Sequence, residues 1–196
     1  MKKFAFICSD NNKLNFSFSD FDFLSIKNKD DFNRLNKLNY EYFILCSSNV
    51  TYDKNINFYE VINFMEKNNI NIFSFMPCNS DSKKLIKINK SGFYDVNDKI
   101  INLNYDTYII KKDFLCGMKY SGDFESLIVE ILSKYNKYYI SCENKVFINN
   151  CDYLGSSWYI DSLKNFKRNI SSSLLNQKMY LYMYLKRLKY NIGFVK

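Results

Sequence analysis

Tyr40-Glu41-Tyr42-Phe43-Ile44-Leu45-Cys46-Ser47-Ser48-Asn49 is the stretch whose reading decides the architecture. Tyr42 to Leu45 is a short, wholly apolar run, and it ends on small polar residues that cannot continue a buried strand. Before it lies an amphipathic segment, Asp30 to Leu38, with Phe32, Leu35 and Leu38 on one face and Asp30 or Asp31 as its cap. A helix running at once into a buried strand predicts a central parallel strand of an open α/β sheet. Ligands bind beyond the carboxyl ends of such strands, so Cys46, Ser47, Ser48 and Asn49 are expected to line a cleft.

Working outward, Lys3 to Cys8 reads as a first strand, broken by the turn-rich Ser9-Asp10-Asn11-Asn12. Leu14, Phe16 and Phe18 alternate with polar residues, and apolar character continues from Phe21 to Ile26. That region is either a strand pair turning at Ser19-Asp20 or one edge strand and a loop. Beyond Asn49 the pattern gives a short loop, then a helix over Ile56 to Lys67 with Phe58, Val61, Ile62 and Met65 at helical spacing. A buried strand from Ile70 to Met76 is expected to stop at Pro77. Cys78 to Asn104 reads as a hairpin excursion with short β-like pieces, Leu85 to Ile88 and Ile100 to Leu103, and a loop signal at Ser91-Gly92. Thr107 to Ile110 is a further strand, and Asp113 starts a short turn of helix. Gly122-Asp123 opens a helix whose stripe is Phe124, Leu127, Ile128, Ile131 and Leu132. Asp123 and Glu125 fall in its first turn, where the helix dipole favours negative charge. Lys137 to Ile140 and Lys145 to Ile148 close the core as two strands.

The chain has 196 residues, enough for one domain with a good-sized core and too few for two full α/β domains. Apolar residues make up 47% and aromatic residues 18%, so the abundance of Asn and Lys is no sign of disorder. With 1 Pro and 5 Gly, the turns must rely on Asn, Asp and Ser. Met1 to Cys8 lacks the regions of a signal peptide, and no apolar run reaches the roughly 20 residues a membrane-spanning helix needs. The 6 cysteines (Cys8, Cys46, Cys78, Cys116, Cys142, Cys151) are scattered without a C-x-x-C pair. Cys8, Cys46 and Cys142 end or follow apolar runs, which suits reduced, buried residues better than disulfides or zinc ligands. A cytoplasmic protein is expected.

Charge is uneven. From Ile160 onward, Lys164, Lys167, Arg168, Lys178, Lys186, Arg187, Lys189 and Lys196 stand against Asp161 alone, so this stretch carries most of the net charge of +8. The expected organisation is an α/β domain over residues 1–159 and a basic, tyrosine-rich helical tail over 160–196, helical from Ser171 or Ser172 and packed on the domain. A solvated amphipathic helix is one reading of the tail. Attachment to an anionic membrane surface through Lys186, Arg187 and Lys189 is the next, which puts the protein at the inner membrane surface. Nucleic acid is not an expected partner, because the body adds no basic patch.

Three stretches resemble family 2 glycosyltransferases. Asn33-Arg34 followed by Glu41-Tyr42-Phe43-Ile44-Leu45 is similar to the family's Asn-Arg helix and the strand that leads to its Asp-x-Asp metal motif. Tyr108-Ile109-Ile110-Lys111-Lys112-Asp113-Phe114 is similar to its strand and Arg-Arg-x-x-Phe turn. Ser121-Gly122-Asp123-Phe124-Glu125, with Leu127 to Lys134 and Tyr138-Tyr139-Ile140 beyond, resembles its Glu-Asp motif, helix and strand. The resemblance covers roughly Lys29 to Ile148. It implies a single α/β domain of GT-A type with a mainly parallel central sheet, a nucleotide-sugar donor, and a glycan or lipid-linked hydroxyl acceptor.

The departures bear on chemistry. Where the family holds a divalent cation with two carboxylates, this chain reads Cys46-Ser47-Ser48-Asn49, so no metal ligand is assigned and no divalent cation or other cofactor is expected. Asp53 would have to bend back to substitute. The chain has no His, and Gly122 replaces the first acid of the Glu-Asp pair, leaving Asp123 as the matching carboxylate. The resemblance implies that Asp123 is the general base; an ordinary first-turn acid needs no chemistry at all. Asp10 and Asn11 follow the first strand, where the family places the nucleotide base, and they read equally as a plain turn. Asn33, Arg34, Ser47, Ser48 and Asn49 complete the candidate nucleotide-sugar contacts, against the plainer reading of a polar loop at Ser47 to Asn49. Two functions stay open: sugar transfer from a nucleotide donor, or a non-catalytic module of the same fold.

Overall fold

A strand with no polar interruption survives only when both of its faces are covered. Phe4–Cys8 (β1) and Tyr42–Cys46 (β3) are such strands, and every residue of both is buried in the computed structural model. The structure describes residues 3–8, 21–46, 50–79, 82, 84, 88–95, 107–120, 124–135 and 137–148. All of them belong to the compact unit Met1–Asn149. The expected tail, 160–196, lies outside the described residues.

The remaining strands are Phe23–Ser25 (β2), Val50–Tyr52 (β4), Ile72–Asn79 (β5), Gly92–Asp95 (β6), Tyr108–Lys111 (β7) and Lys137–Ile148 (β8). The sheet runs β2-β1-β3-β7-β5-β8-β4, with β6 also paired to β8. β1, β2, β3, β5 and β8 point one way, and β4, β6 and β7 run against them. The fold is thus mixed α/β around a mostly parallel sheet. β3 is parallel to β1 as expected, but its other neighbour is the antiparallel β7, inserted between β3 and β5.

The segment preceding β3 is the helix Lys29–Arg34 (α1) followed by one tighter turn, Leu35–Lys37. Its cap is Asn28 rather than Asp30 or Asp31, because the Asn28 side chain accepts the Asp31 N–H at 2.9 Å while both acids occupy the first turn. Phe32 and Leu35 are buried, and Phe32 stacks on Tyr120 with ring centroids 5.0 Å apart. Within Phe21 to Ile26 the described strand is β2, parallel to β1; residues 9–20, where the other strand of a pair is expected, lie outside the described residues.

Phe58–Lys67 (α2) is capped by Asn57, whose side chain accepts the Tyr59 and Glu60 N–H groups. It buries Phe58, Val61, Ile62 and Met65, as their spacing predicts. Phe58 meets Phe6 and Tyr52 at 5.2 Å and Phe75 at 6.1 Å edge to face, and lies tilted against Phe4 at 6.1 Å. Edge-to-face ring pairs of this kind add about 0.5–1.5 kcal/mol each beyond area burial. Lys112–Cys116 (α3) follows β7 directly. Phe124–Tyr135 (α4) buries Leu127, Ile128, Ile131 and Leu132 completely; the Phe124 side chain lies outside the described residues.

Four local expectations are corrected. The short loop placed after Asn49 contains strand β4, whose Val50 and Tyr52 are buried while Thr51 is exposed, a clean alternation too short to stand out in sequence. Pro77 does not end β5. The ladder to β7 ends at Ser74 opposite Tyr108, so a missing N–H at Pro77 breaks no bond to that neighbour, and the strand continues beside β8 to Asn79. The two closing strands are one, β8, with extra residues at its middle: Ser74 pairs with Ile140 but Met76 with Lys145. The Ser141 hydroxyl fills that bulge, accepting the Glu143 and Asn144 N–H groups at 3.3 and 3.2 Å. Gly92, expected in a loop, begins β6, which pairs with the first half of β8 while β4 pairs with the second. Ile100 to Leu103 lies outside the described residues.

Candidate functional site

β1 and β3 end level with one another, Cys8 opposite Cys46 in the parallel ladder. Partners in neighbouring strands lie about 4.8 Å apart, so the chain leaves the sheet at almost the same point twice. Both cysteines are buried thiols rather than halves of a disulfide; Cys46 Sγ donates to the Ile7 carbonyl at 3.3 Å and Cys8 Sγ to the Leu24 carbonyl at 3.6 Å. They close the core beneath this edge, as expected of reduced cysteines. Burial pushes the Cys78 thiol up and the Cys116 thiol to about 11, so neither carries an activated thiolate.

Ser47, Ser48 and Asn49 follow Cys46 and lie outside the described residues, as do Asp10 and Asn11 beyond Cys8. Both ends of the Ser47 to Asn49 link are fixed. Cys46 ends β3, and Val50 opens β4 with its pair at Ile148. Two residues later the Tyr52 hydroxyl donates to the Leu45 carbonyl at 3.1 Å, tying β4 back to β3.

Asp53 is engaged elsewhere than at this edge. Its Oδ1 accepts both the N–H and the Nδ2 of Asn55 at 3.0 Å, and its own N–H bonds the Lys145 carbonyl at 3.2 Å. The Asp53 to Ile56 turn that leads into α2 therefore uses the carboxylate as a local brace. Among the described residues, no group of three or more Cys, Asp or Glu side chains could hold a metal ion.

Asn33 and Arg34 are described, and both are exposed. Arg34 Nη1 stands 3.7 Å from Asp31 Oδ1 on α1 itself. The helix carries them toward the amino end of β3, where Lys112 Nζ holds the Leu38 carbonyl at 2.7 Å and the Lys112 N–H holds the Glu41 carbonyl. β3 is five residues long, so about 13 Å of strand separates that end from Cys46. Asp123 lies outside the described residues, directly before α4, and the Glu125 side chain is also outside them. Lys186, Arg187 and Lys189 lie outside as well.

The residues missed in sequence lie on the second half of β8. Beyond the Ser141 bulge, β5, β8 and β4 form a small three-strand extension, joined on its β5 side by a bridge from Lys84 to Cys78. One face of it is core: Pro77, Val146, Ile148, Val50 and Tyr52 are all buried. The other carries Met76 and Cys78, which are buried as well, together with the half-buried Lys145 and Phe147 and the exposed Lys84 and Thr51, by the alternation of a strand. Only the alternation of Lys145, Val146, Phe147 and Ile148 hinted at this in sequence. At the centre of the main sheet a hydroxyl pair is buried too, Ser74 Oγ 3.4 Å from Thr107 Oγ1. Burial and the neighbouring Tyr138 push the Tyr108 phenol beside it well above its ordinary value, against the lowering effect of a hydrogen bond to Ser74, so it stays neutral as a core group.

No protein-family model matches the chain, and no curated protein matches it in sequence. Solved structures do resemble it. The TarS fragment 1–349 of S. aureus superposes with a TM-score of 0.54 at 10% identity, covering 100% of this chain and 73% of that one. The same fragment in complex with UDP-GlcNAc gives 0.54 at 9% identity, over 99% and 73%. The A197 protein from STIV gives 0.51 at 15% identity, over 74% and 84%. The likeness is one of fold: the chain shares the mixed α/β architecture of these structures.

Proposed function

We propose that the chain is a glycosyltransferase-like protein of GT-A type that takes a nucleotide-sugar donor at the carboxyl ends of β1 and β3 and passes the sugar to a hydroxyl on a glycan or lipid-linked acceptor. The observation that carries the reading is the level ending of the two strands, Cys8 opposite Cys46, in a fold like that of a protein crystallised with UDP-GlcNAc. Two polar segments leave that edge. In this reading Asp10 and Asn11 contact the nucleotide base, and Ser47, Ser48 and Asn49 donate hydrogen bonds to the diphosphate. Asp123 takes the proton from the acceptor hydroxyl as its oxygen attacks the sugar carbon, and the nucleotide diphosphate leaves with the electron pair. Asn33 and Arg34, both exposed on α1, are given no contact in this reading.

A second reading, a non-catalytic module of the same fold, is favoured by two sequence facts. Cys46 to Asn49 holds no carboxylate, and Gly122 stands in the place of an acid. The two readings share the donor site and differ in turnover.

The test is a thermal-shift panel of nucleotide sugars, each with and without Mn²⁺, followed by a radiolabel transfer assay for any ligand that stabilises. A ligand binding only the native state at about 100 times its dissociation constant adds about 2.7 kcal/mol of stability. Metal-independent shifts with one nucleotide class are expected. Absence of a shift with every nucleotide sugar would overturn the reading, and shifts that require Mn²⁺ would overturn the role given to Ser47, Ser48 and Asn49. Binding without transfer would select the module.

A further inference from the structure

We propose that Lys84 and Lys145 form an anion subsite at the face of the β5–β8–β4 extension that carries Cys78, taking the diphosphate of a nucleotide in place of a divalent cation; the choice of nucleotide rests on the donor reading above. Lys84 is the bridge partner of Cys78, and Cys78 is in turn the ladder partner of Phe147, two residues beyond Lys145. Paired residues share a face and so do alternate ones, so both ammonium-bearing side chains rise on the side of the sheet where Cys78 lies. Their attachment points are two strands and two residues apart, about 12 Å. Side chains of lysine length reach a common point from that span. Burial pushes the Cys78 thiol up, and both ammonium charges act on it in the opposite sense.

Among the described residues, the Lys145 ammonium has no hydrogen-bond or ion-pair partner. Lys84 Nζ gives one bond, to the Ile88 carbonyl at 3.2 Å, which leaves two donors and the whole charge. Asp53, whose N–H bonds the Lys145 carbonyl, has its Oδ1 taken up by Asn55. Like charges kept on one face favour an anionic ligand.

The location is apt. Val50, which ends the Ser47 to Asn49 link, pairs with Ile148, and Ile148 pairs with Asn79, so the extension borders the edge at which that link leaves β3. A leaving diphosphate needs positive charge as its bond to sugar breaks, and two ammonium groups supply it as point charges without a metal.

The experiment is calorimetric titration of the whole chain, in excess EDTA, with UDP, uridine and inorganic pyrophosphate, for the wild type and for Lys84→Gln, Lys145→Gln, the double variant and Lys145→Arg. UDP is expected to bind more tightly than uridine, and each Gln change to weaken UDP by about tenfold, the worth of one charge-assisted hydrogen bond. Uridine binding should not change, Lys145→Arg should restore most of the loss, and added salt should reduce the wild-type advantage. If UDP binds and the double variant binds it equally well, the subsite is wrong and the donor reading stands. If pyrophosphate binds through these lysines while no nucleotide is preferred over it, the subsite stands and the donor reading fails. Failure of all three probes to bind the wild type overturns both.

Discussion

The phenolic hydroxyl of Tyr52 donates to the carbonyl oxygen of Leu45 across 3.1 Å of buried space. The bond joins the strand before the Ser47 to Asn49 link to the strand after it, so it fixes both ends of that link against the sheet. Tyr52→Phe keeps the ring packing with Phe6, Phe58 and Phe75 and removes only the hydroxyl. A loss of about 1–2 kcal/mol is expected by urea denaturation. For a chain of this size the melting temperature should fall by about 2–8 °C. A neutral substitution would mean that the bond contributes nothing to holding β4.

If the chain is active, Asp123→Asn should lower kcat by about 10²- to 10⁴-fold, the usual worth of an acid-base group, and leave donor KM near its original value. Glu125→Gln should change either parameter little. Equal losses in the two variants would move the role from one carboxylate to the helix start as a whole, and an unimpaired Asp123→Asn enzyme would remove it.

The basic tail gives a prediction about surfaces. Lys186, Arg187 and Lys189 should support binding to anionic but not neutral vesicles in a sedimentation assay, at about 1 kcal/mol per charge near the bilayer. Salt and charge reversal at the three positions should both weaken it. Among the described residues no helix is long and apolar enough to cross a membrane. Binding indifferent to lipid charge would exclude the electrostatic attachment.

Alkaline pH should act through Tyr40. Its hydroxyl donates to Asp22 Oδ2 at 2.7 Å, and this bond, with burial and the carboxylate charge, pushes the phenol up to about 12. The unfolded phenol loses its proton near about pH 10. A folded value above the unfolded one means stability fully present below about pH 10 and lost as pH rises toward about 12. The difference in urea midpoint between wild type and Tyr40→Phe should be constant up to about pH 10 and shrink above it. A difference that grows with pH would contradict the assignment of the proton to Tyr40.

The sheet was legible where burial is two-sided and the run is uninterrupted. Phe4 to Cys8, Tyr42 to Cys46 and Tyr108 to Lys111 announce themselves because nothing but a strand between covered faces tolerates that composition. Helix α2 was legible from its period. The order of strands was not, since the antiparallel placement of β7 between β3 and β5 depends on partners distant in sequence. Pro77 misled because a proline's cost depends on which side of the strand has a neighbour, and β7 has ended three residues before it. At the site, the sequence pointed to the end of β3. It missed the lysines of the extension because a lysine in an alternating strand looks like any solvated one until the register puts a second beside it. Asp53 misled in the opposite sense: a carboxylate near the right place in sequence is committed to Asn55 in space.

β8 lies late in the chain, and among the described residues it is the ladder partner of both β4 and β6, which precede it. Until it is available, each of those short strands has its hydrogen-bonding edge bare. During synthesis the half of the sheet around β1 and β3 can assemble first, while the other half waits for Lys137 to Ile148 to emerge. A ribosome-bound or prematurely ended chain lacking that segment therefore presents open strand edges to its neighbours, the condition under which one chain pairs with another instead of with itself.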